Sequence, residues 1–264
     1  MAKHFFDNDT RVFAHRGVPI EFPENTLLSF KRAVELGVDV IETDIHFTKD
    51  KGFIVIHDES LERLTEGVGN VRDYSIKELK QFDAGFRFTK DNGKTYPFKG
   101  KNIKLLSLEE MLNEFPNQRF NIDLKEKNQE QIGYYADIIK RHNAQNRVLT
   151  ASEHSVNLKG IRKLFPDMAT SFSLWEALGF YTLYKTGFMF LTSHFNGDAL
   201  QIPEHFGPIR IVTKSFVKHA HNKGIQVHVW TINNRDDIIR LFNLGVDGII
   251  SDDPILLKQI ANDN

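Results

Sequence analysis

One rhythm constrains this sequence more than any other feature. Short runs rich in β-branched and aromatic residues alternate with amphipathic helical patterns from Arg11 to Ala261. The strand-like runs are residues 11–15, 38–44, 119–125, 147–151, 169–173, 199–202, 225–232 and 246–251. The helix-like runs are 26–36, 108–115, 130–142, 155–165, 174–184, 215–223, 235–244 and 255–261. Strands joined through helices run the same way, so the pattern demands a parallel sheet. Eight such units fit a (β/α)8 TIM barrel best, with a doubly wound open sheet as the alternative. A chain of 264 residues suits one domain of this kind and needs no staple to fold.

One connection breaks the rhythm. Residues 58–106, 49 positions, separate the strand-like run ending at His57 from the helix opening at Ser107. Ordinary βα loops have about 2–6 residues. The segment is turn-rich over 63–73, reads as a short capped helix over 75–82 and is polar after that. It is expected to form a small inserted subdomain within a single catalytic domain of residues 1–264, leaving from the barrel end where active sites sit.

Composition removes several function classes. There are 34 Lys and Arg against 35 Asp and Glu, so no overall basic field gathers nucleic acid. Cysteine is absent, which excludes disulfides, thiolate zinc sites and a cysteine nucleophile. The first residues carry no apolar signal segment, so a cytoplasmic protein is expected. The most apolar stretch, 172–195, is interrupted by Glu176 and Lys185 and cannot supply a transmembrane helix.

Alternation along the second strand puts Val38, Val40, Glu42, Asp44 and His46 on one face. Two carboxylates on one buried face repel each other and lose hydration. A bound cation resolves this, and so do Arg or Lys partners from neighbouring strands. The third strand adds Asn121, Asp123 and Lys125 on one face. Three carboxylates without cysteine make an oxygen-rich site suited to Ca²⁺ or Mg²⁺, unless Lys125 simply pairs with Asp123 in a metal-free barrel. His15 and His57 each end a strand-like run and form a candidate acid/base pair. Arg16 offers a fork for phosphate, and Lys125 a second anion contact. Trp230, near the end of the seventh strand, is either a core aromatic or an apolar wall against a substrate carbon skeleton. His219 and His221 fall inside a helical run and read as a solvated face.

Taken together, these stretches resemble the glycerophosphodiester phosphodiesterase family. The resemblance rests on His15-Arg16-Gly17, Pro23-Glu24-Asn25-Thr26, Glu42-Thr43-Asp44 and the segment His57 to Thr65, with Gly67 and Gly69 after it. It resumes at Asn121 to Lys125, Val229 to Asn233 and Gly245 to Pro254, so it spans about residues 12–257. It implies a TIM barrel whose insertion caps one side of the mouth. It implies metal-dependent hydrolysis of glycerophosphodiesters to sn-glycerol 3-phosphate and an alcohol. By motif, His15 and His57 match the family's acid/base pair, while Glu42, Asp44 and Asp123 match the ligands of one divalent cation. Arg16 and Lys125 match its phosphate contacts, and Trp230 a substrate-lining aromatic. The family's nucleophile is thought to be the substrate's own 2-hydroxyl.

Three positions depart from the family pattern. Asp123 stands where many members have Glu, and Leu105-Leu106-Ser107-Leu108 lacks a usual proline. Ser152-Glu153 replaces a usual Ser-Phe, which puts a charge near the mouth. Two alternatives remain. One is a lysophospholipase D, with Phe180, Tyr181, Tyr184, Phe188 and Phe190 as a lipid-facing surface in transient membrane contact. The other is a catalytically silent barrel that binds a phosphorylated ligand.

Overall fold

The computed structural model describes residues 4–8 and 10–263. Eight parallel strands are present: β1 (Val12–His15), β2 (Val40–Phe47), β3 (Arg119–Leu124), β4 (Val148–Ala151), β5 (Ala169–Thr170), β6 (Ala199–Pro203), β7 (Gln226–Trp230) and β8 (Gly248–Ser251). Their order is β5-β4-β3-β2-β1-β8-β7-β6. A parallel bridge between Ser171 and Ala199 joins the two ends. The amide of Phe172 donates to the Ala199 carbonyl at 3.0 Å, and that of Asp198 to the Thr170 carbonyl at 2.9 Å. The sheet therefore closes on itself, which rules out the open doubly wound sheet.

Helices alternate with the strands as the rhythm requires: α1 (Leu27–Glu35), α2 (Leu108–Glu114), α3 (Gln131–Arg141), α4 (Ser155–Leu164), α5 (Leu174–Thr186), α6 (Lys214–His221), α7 (Arg235–Leu244) and α8 (Pro254–Asp263). Their starts follow from sequence. Ser107 and Ser173 each open a helix through a reciprocal capping box with Glu110 and Glu176, and Thr26, Thr213 and Asn234 cap three others.

Two apolar layers hold the barrel. The larger lies between strands and helices. The smaller fills the barrel interior with Phe13, Val40, Leu149, Ala151, Ala169, Ala199 and Ile250. Phe5, 1% exposed, packs into this inner cluster, and its carbonyl accepts from Arg119 at 2.9 Å. With its interior filled by side chains, the barrel can act only from the ends of its strands.

Some boundaries differ from the sequence pattern. The fifth strand is only two residues long, because Ser171 keeps one bridge before the chain turns into α5. The second strand extends to Phe47, because Phe53–Val55 folds back on it as an antiparallel partner. The insertion has its own apolar cluster of Leu61, Val71, Leu79, Ala84 and Leu105 against Ile54 and Ile56. Its helix is a single turn, Ile76–Leu79, held by a Ser75–Glu78 capping box.

The turn after β1 is the tightest feature of the open end. Arg16 sits at φ 56° and Gly17 at φ 90°, both left-handed. Ser29 Oγ accepts from the Val18 amide at 2.7 Å and donates to the Arg16 carbonyl at 3.2 Å, tying the turn to α1. A Cβ on Gly17 would lie 2.3 Å from that Ser29 Oγ and 2.9 Å from the Ser29 carbonyl carbon. Gly17→Ala is therefore expected to cost about 2–4 kcal/mol, the scale of a backbone clash added to a forbidden φ. Urea unfolding checks this, and a loss below about 0.5 kcal/mol would show that the turn relaxes freely.

Candidate active site

Parallel register brings the chemistry to one end. His15 pairs with Glu42 across β1 and β2, and Asp44 with Asp123 across β2 and β3. Alternation turns Glu42 and Asp44 to the same side, and both are almost completely buried. Burial, then the neighbouring Asp44 charge, raises Glu42 to about 8. Burial pushes Asp44 the same way, but the Lys125 and Arg16 charges outweigh it and hold this acid below the usual range. Burial raises Asp123, although Lys125 opposes the shift. Of this trio, Asp44 is the one most firmly kept ionised.

The two cations are shared among these acids. Lys125 Nζ lies 2.7 Å from Asp44 Oδ1 and 2.7 Å from Asp123 Oδ2. Burial works against the ammonium, but Asp123 and Asp44 outweigh it and keep it charged. Arg16 Nη1 donates to Glu24 Oε1 at 2.9 Å, and its Nε stands 3.4 Å from Asp44 Oδ2.

Each candidate histidine has its own acid. His15 Nδ1 lies 2.6 Å from Asp252 Oδ1, and its Nε2 is 3.8 Å from Glu42 Oε2. Burial lowers the affinity of this ring for a proton, but Glu42 and Asp252 together outweigh it and the net shift is upward. Asn233 Nδ2 holds the other Asp252 oxygen at 2.7 Å. His57 Nδ1 lies 2.6 Å from Asp58 Oδ1. Arg63 Nε donates to Asp58 Oδ2, while Arg63 Nη1 and Nη2 grip both oxygens of Glu24 at 2.9 and 2.8 Å. An unbroken chain of charges thus runs from Arg16 through Glu24, Arg63 and Asp58 to His57. Burial opposes ionisation of Glu24, but Arg63 and Arg16 more than offset it.

His57 is also held from behind. His46, 3% exposed, puts Nε2 2.9 Å from the His57 carbonyl and Nδ1 2.7 Å from Glu126 Oε1. Burial disfavours a charge on this ring, but the Glu126 contact outweighs it and the net shift is upward.

The carboxylates fit a hard cation. Glu42 Oε2 and Asp44 Oδ2 are buried oxygens that accept no hydrogen bond, which is costly unless a positive group faces them. Among the described residues, however, no three acid or histidine side chains converge as a ready cation cage. Lys125 stands between Asp44 and Asp123 instead. The metal reading and the lysine-pair reading are thus both visible in one cluster.

The remaining candidates fall as follows. Trp230, 43% exposed at the end of β7, is not a core residue. His221 pairs with Asp247 on an exposed face, as expected, and His219 bonds the Ser215 carbonyl within its own helix. Phe180 is fully buried against Phe172, Phe195 and Phe216, and Tyr181 and Tyr184 pack on Phe216. Phe180, Tyr181 and Tyr184 are therefore engaged in packing, while Phe188 and Phe190 stand exposed, as do Leu174, Trp175, Leu178 and Leu191 nearby. Spacing did not single out Asp252, Asp58, Glu24, Arg63 or Asn233 as functional. Asp58 meets the adjacent His57, but Asp252, Glu24, Arg63 and Asn233 each find a partner in another stretch of the chain.

The sequence profile of the glycerophosphoryl diester phosphodiesterase family matches residues 15–256. A glycerophosphodiester phosphodiesterase from Caldanaerobacter subterraneus is 32% identical over 263 residues, covering 96% of this chain and 98% of the relative. A human lysophospholipase D is 28% identical, covering 94% of this chain and 85% of its own. Among solved structures, a Mycobacterium tuberculosis glycerophosphoryl diester phosphodiesterase domain superposes with TM-score 0.83 at 20% identity, covering 96% of this chain and 99% of that one. An Oleispira antarctica phosphodiesterase, solved with the product sn-glycerol-3-phosphate, gives TM-score 0.76 at 24% identity, covering 96% and 97%. These two show the shared barrel. The profile match over nearly the whole chain shows the family: this chain belongs to the glycerophosphoryl diester phosphodiesterases.

Proposed function

We propose that the barrel hydrolyses glycerophosphodiesters to sn-glycerol 3-phosphate and an alcohol, with one divalent cation, Ca²⁺ or Mg²⁺, held by Glu42, Asp44 and Asp123. The observation that carries the reading is the pair of imidazoles. Each has an acid 2.6 Å from its Nδ1, and in this reading each Nε2 meets the substrate. An acid on one ring nitrogen sets the tautomer and steadies the protonated ring, as acid/base work requires.

The bound cation would supply positive charge to the phosphate oxygens and offset the charge that builds at phosphorus. Arg16 and Lys125 bind phosphate oxygens from the protein side. Trp230 lies along the glycerol carbons. One histidine takes the proton of the substrate's 2-hydroxyl as that oxygen attacks phosphorus. The other gives a proton to the alcohol oxygen as the P–O bond breaks. Water then opens the cyclic phosphate with the two proton roles reversed. The attack is intramolecular, so the enzyme gains a large effective molarity by holding the substrate correctly.

The first experiment is hydrolysis of glycerophosphocholine and of a lysophospholipid side by side. Release of sn-glycerol 3-phosphate from the former supports the reading. Turnover of the lysophospholipid alone would favour a lysophospholipase D, and binding without turnover of either a silent barrel.

Three outcomes follow for variants and conditions. Exhaustive chelation is expected to abolish turnover and Ca²⁺ or Mg²⁺ to restore it, with Asp44→Asn behaving like the chelated enzyme while still folding. Full activity after chelation would remove the cation. His15→Ala and His57→Ala are each expected to lower kcat by about 10²–10⁴, and near-normal kcat in either would make that histidine structural. Arg63→Ala is expected to lower kcat/KM by about 10–100-fold, because it frees Asp58 and Glu24 together. Arg63→Lys cannot span both acids and is expected to rescue little. Rescue to within twofold would show that the Arg16–His57 charge chain is not needed.

A further inference from the structure

Resting on that reading, we propose that Glu153 forms the outer end of the substrate site and selects glycerophosphodiesters whose alcohol carries a positive charge, such as a quaternary or primary ammonium.

Position is the first argument. Ala151 is in register with Asp123 across β3 and β4. Leu149 and Ala151 both point into the barrel interior. Glu153 lies two residues past the C-terminal end of β4, on the loop at the mouth, as Lys125 lies one residue past the end of β3. The Leu174 amide donates to the Glu153 carbonyl at 3.1 Å, which fixes this corner against the start of α5.

Availability is the second. The Glu153 side chain is 69% exposed, and its ionic neighbour is His154 Nε2 at 3.4 Å. The inner cations are already committed. Lys125 serves Asp44 and Asp123, and Arg16 serves Glu24 and Asp44. Among the described residues, Glu153 is thus a carboxylate at the mouth with no Lys or Arg partner.

Direction is the third. The barrel beneath the site is closed by packed side chains, so only the outward end of a substrate can vary in size and charge. The phosphate is drawn inward by Arg16 and Lys125, which leaves the alcohol facing Glu153. A carboxylate there attracts an ammonium and repels an anionic group. The effect of such a solvent-facing pair is modest and salt-dependent.

The test compares kcat/KM for glycerophosphocholine and glycerophosphoglycerol in the wild type, Glu153→Gln and Glu153→Lys. The ratio of the two values is expected to fall about 3-fold in Glu153→Gln and about 10-fold in Glu153→Lys, on the scale of one screened charge pair. The wild-type ratio should also shrink as salt is raised. A purely structural role would lower both substrates together and leave the ratio fixed. An unchanged ratio in both variants, with hydrolysis intact, would overturn the selection by Glu153 and leave the phosphodiesterase reading standing. If the wild type hydrolyses neither diester, that reading fails and this one with it.

Discussion

Glu42, Asp44 and Asp123 stand on adjacent strands of one barrel rim, and the rest of the site is a response to their charge. Carboxylates in a buried setting lose hydration and repel one another, so the fold must bring positive charge to them. Lys125 and Arg16 do this in part. They leave Glu42 Oε2 and Asp44 Oδ2 without a hydrogen bond. Two buried oxygens short of donors are the ground for the proposed cation.

The second layer concerns orientation. His15 leans on Asp252 across the junction of β1 and β8, and His57 leans on Asp58 beside it. Arg63 reaches from the insertion to Glu24 on the loop after β1. The inserted segment is therefore tied to the site. It carries the guanidinium that locks the His57 acid to the Arg16 acid. Behind them, Glu126 and His46 hold the His57 carbonyl. Placement to within a fraction of an ångström is what positioned acid/base groups demand, and these contacts hold the two rings from five different stretches of chain.

Much of this was legible in the sequence, for physical reasons. The eight-unit alternation follows from two backbone periodicities, and it yields a closed barrel. Glu42, Asp44 and Asp123 could be placed on one wall because strand alternation and parallel register are short-range rules. What could not be read were contacts between distant loops. Asp252 meets His15 237 residues away, and Glu24 meets Arg63 39 residues away. No local pattern encodes such pairs. Helical periodicity likewise could not tell which rings of the aromatic stretch are buried, and the packing around Phe180 shows it. The fifth strand was read at 169–173, but its end escaped for a similar reason, because it is set by the turn into α5 rather than by composition.

The central claim is that the buried acids hold a cation next to the two histidines. Crystals of the protein grown with Ca²⁺ and sn-glycerol 3-phosphate test it most directly through an anomalous difference map. A peak in contact with Glu42 Oε2 and Asp44 Oδ2 is expected, with Lys125 Nζ drawn off Asp44 toward a phosphate oxygen. A map without a peak there at saturating Ca²⁺, and with Lys125 still bridging Asp44 and Asp123, would contradict the claim and leave the lysine pair as the only counter-charge.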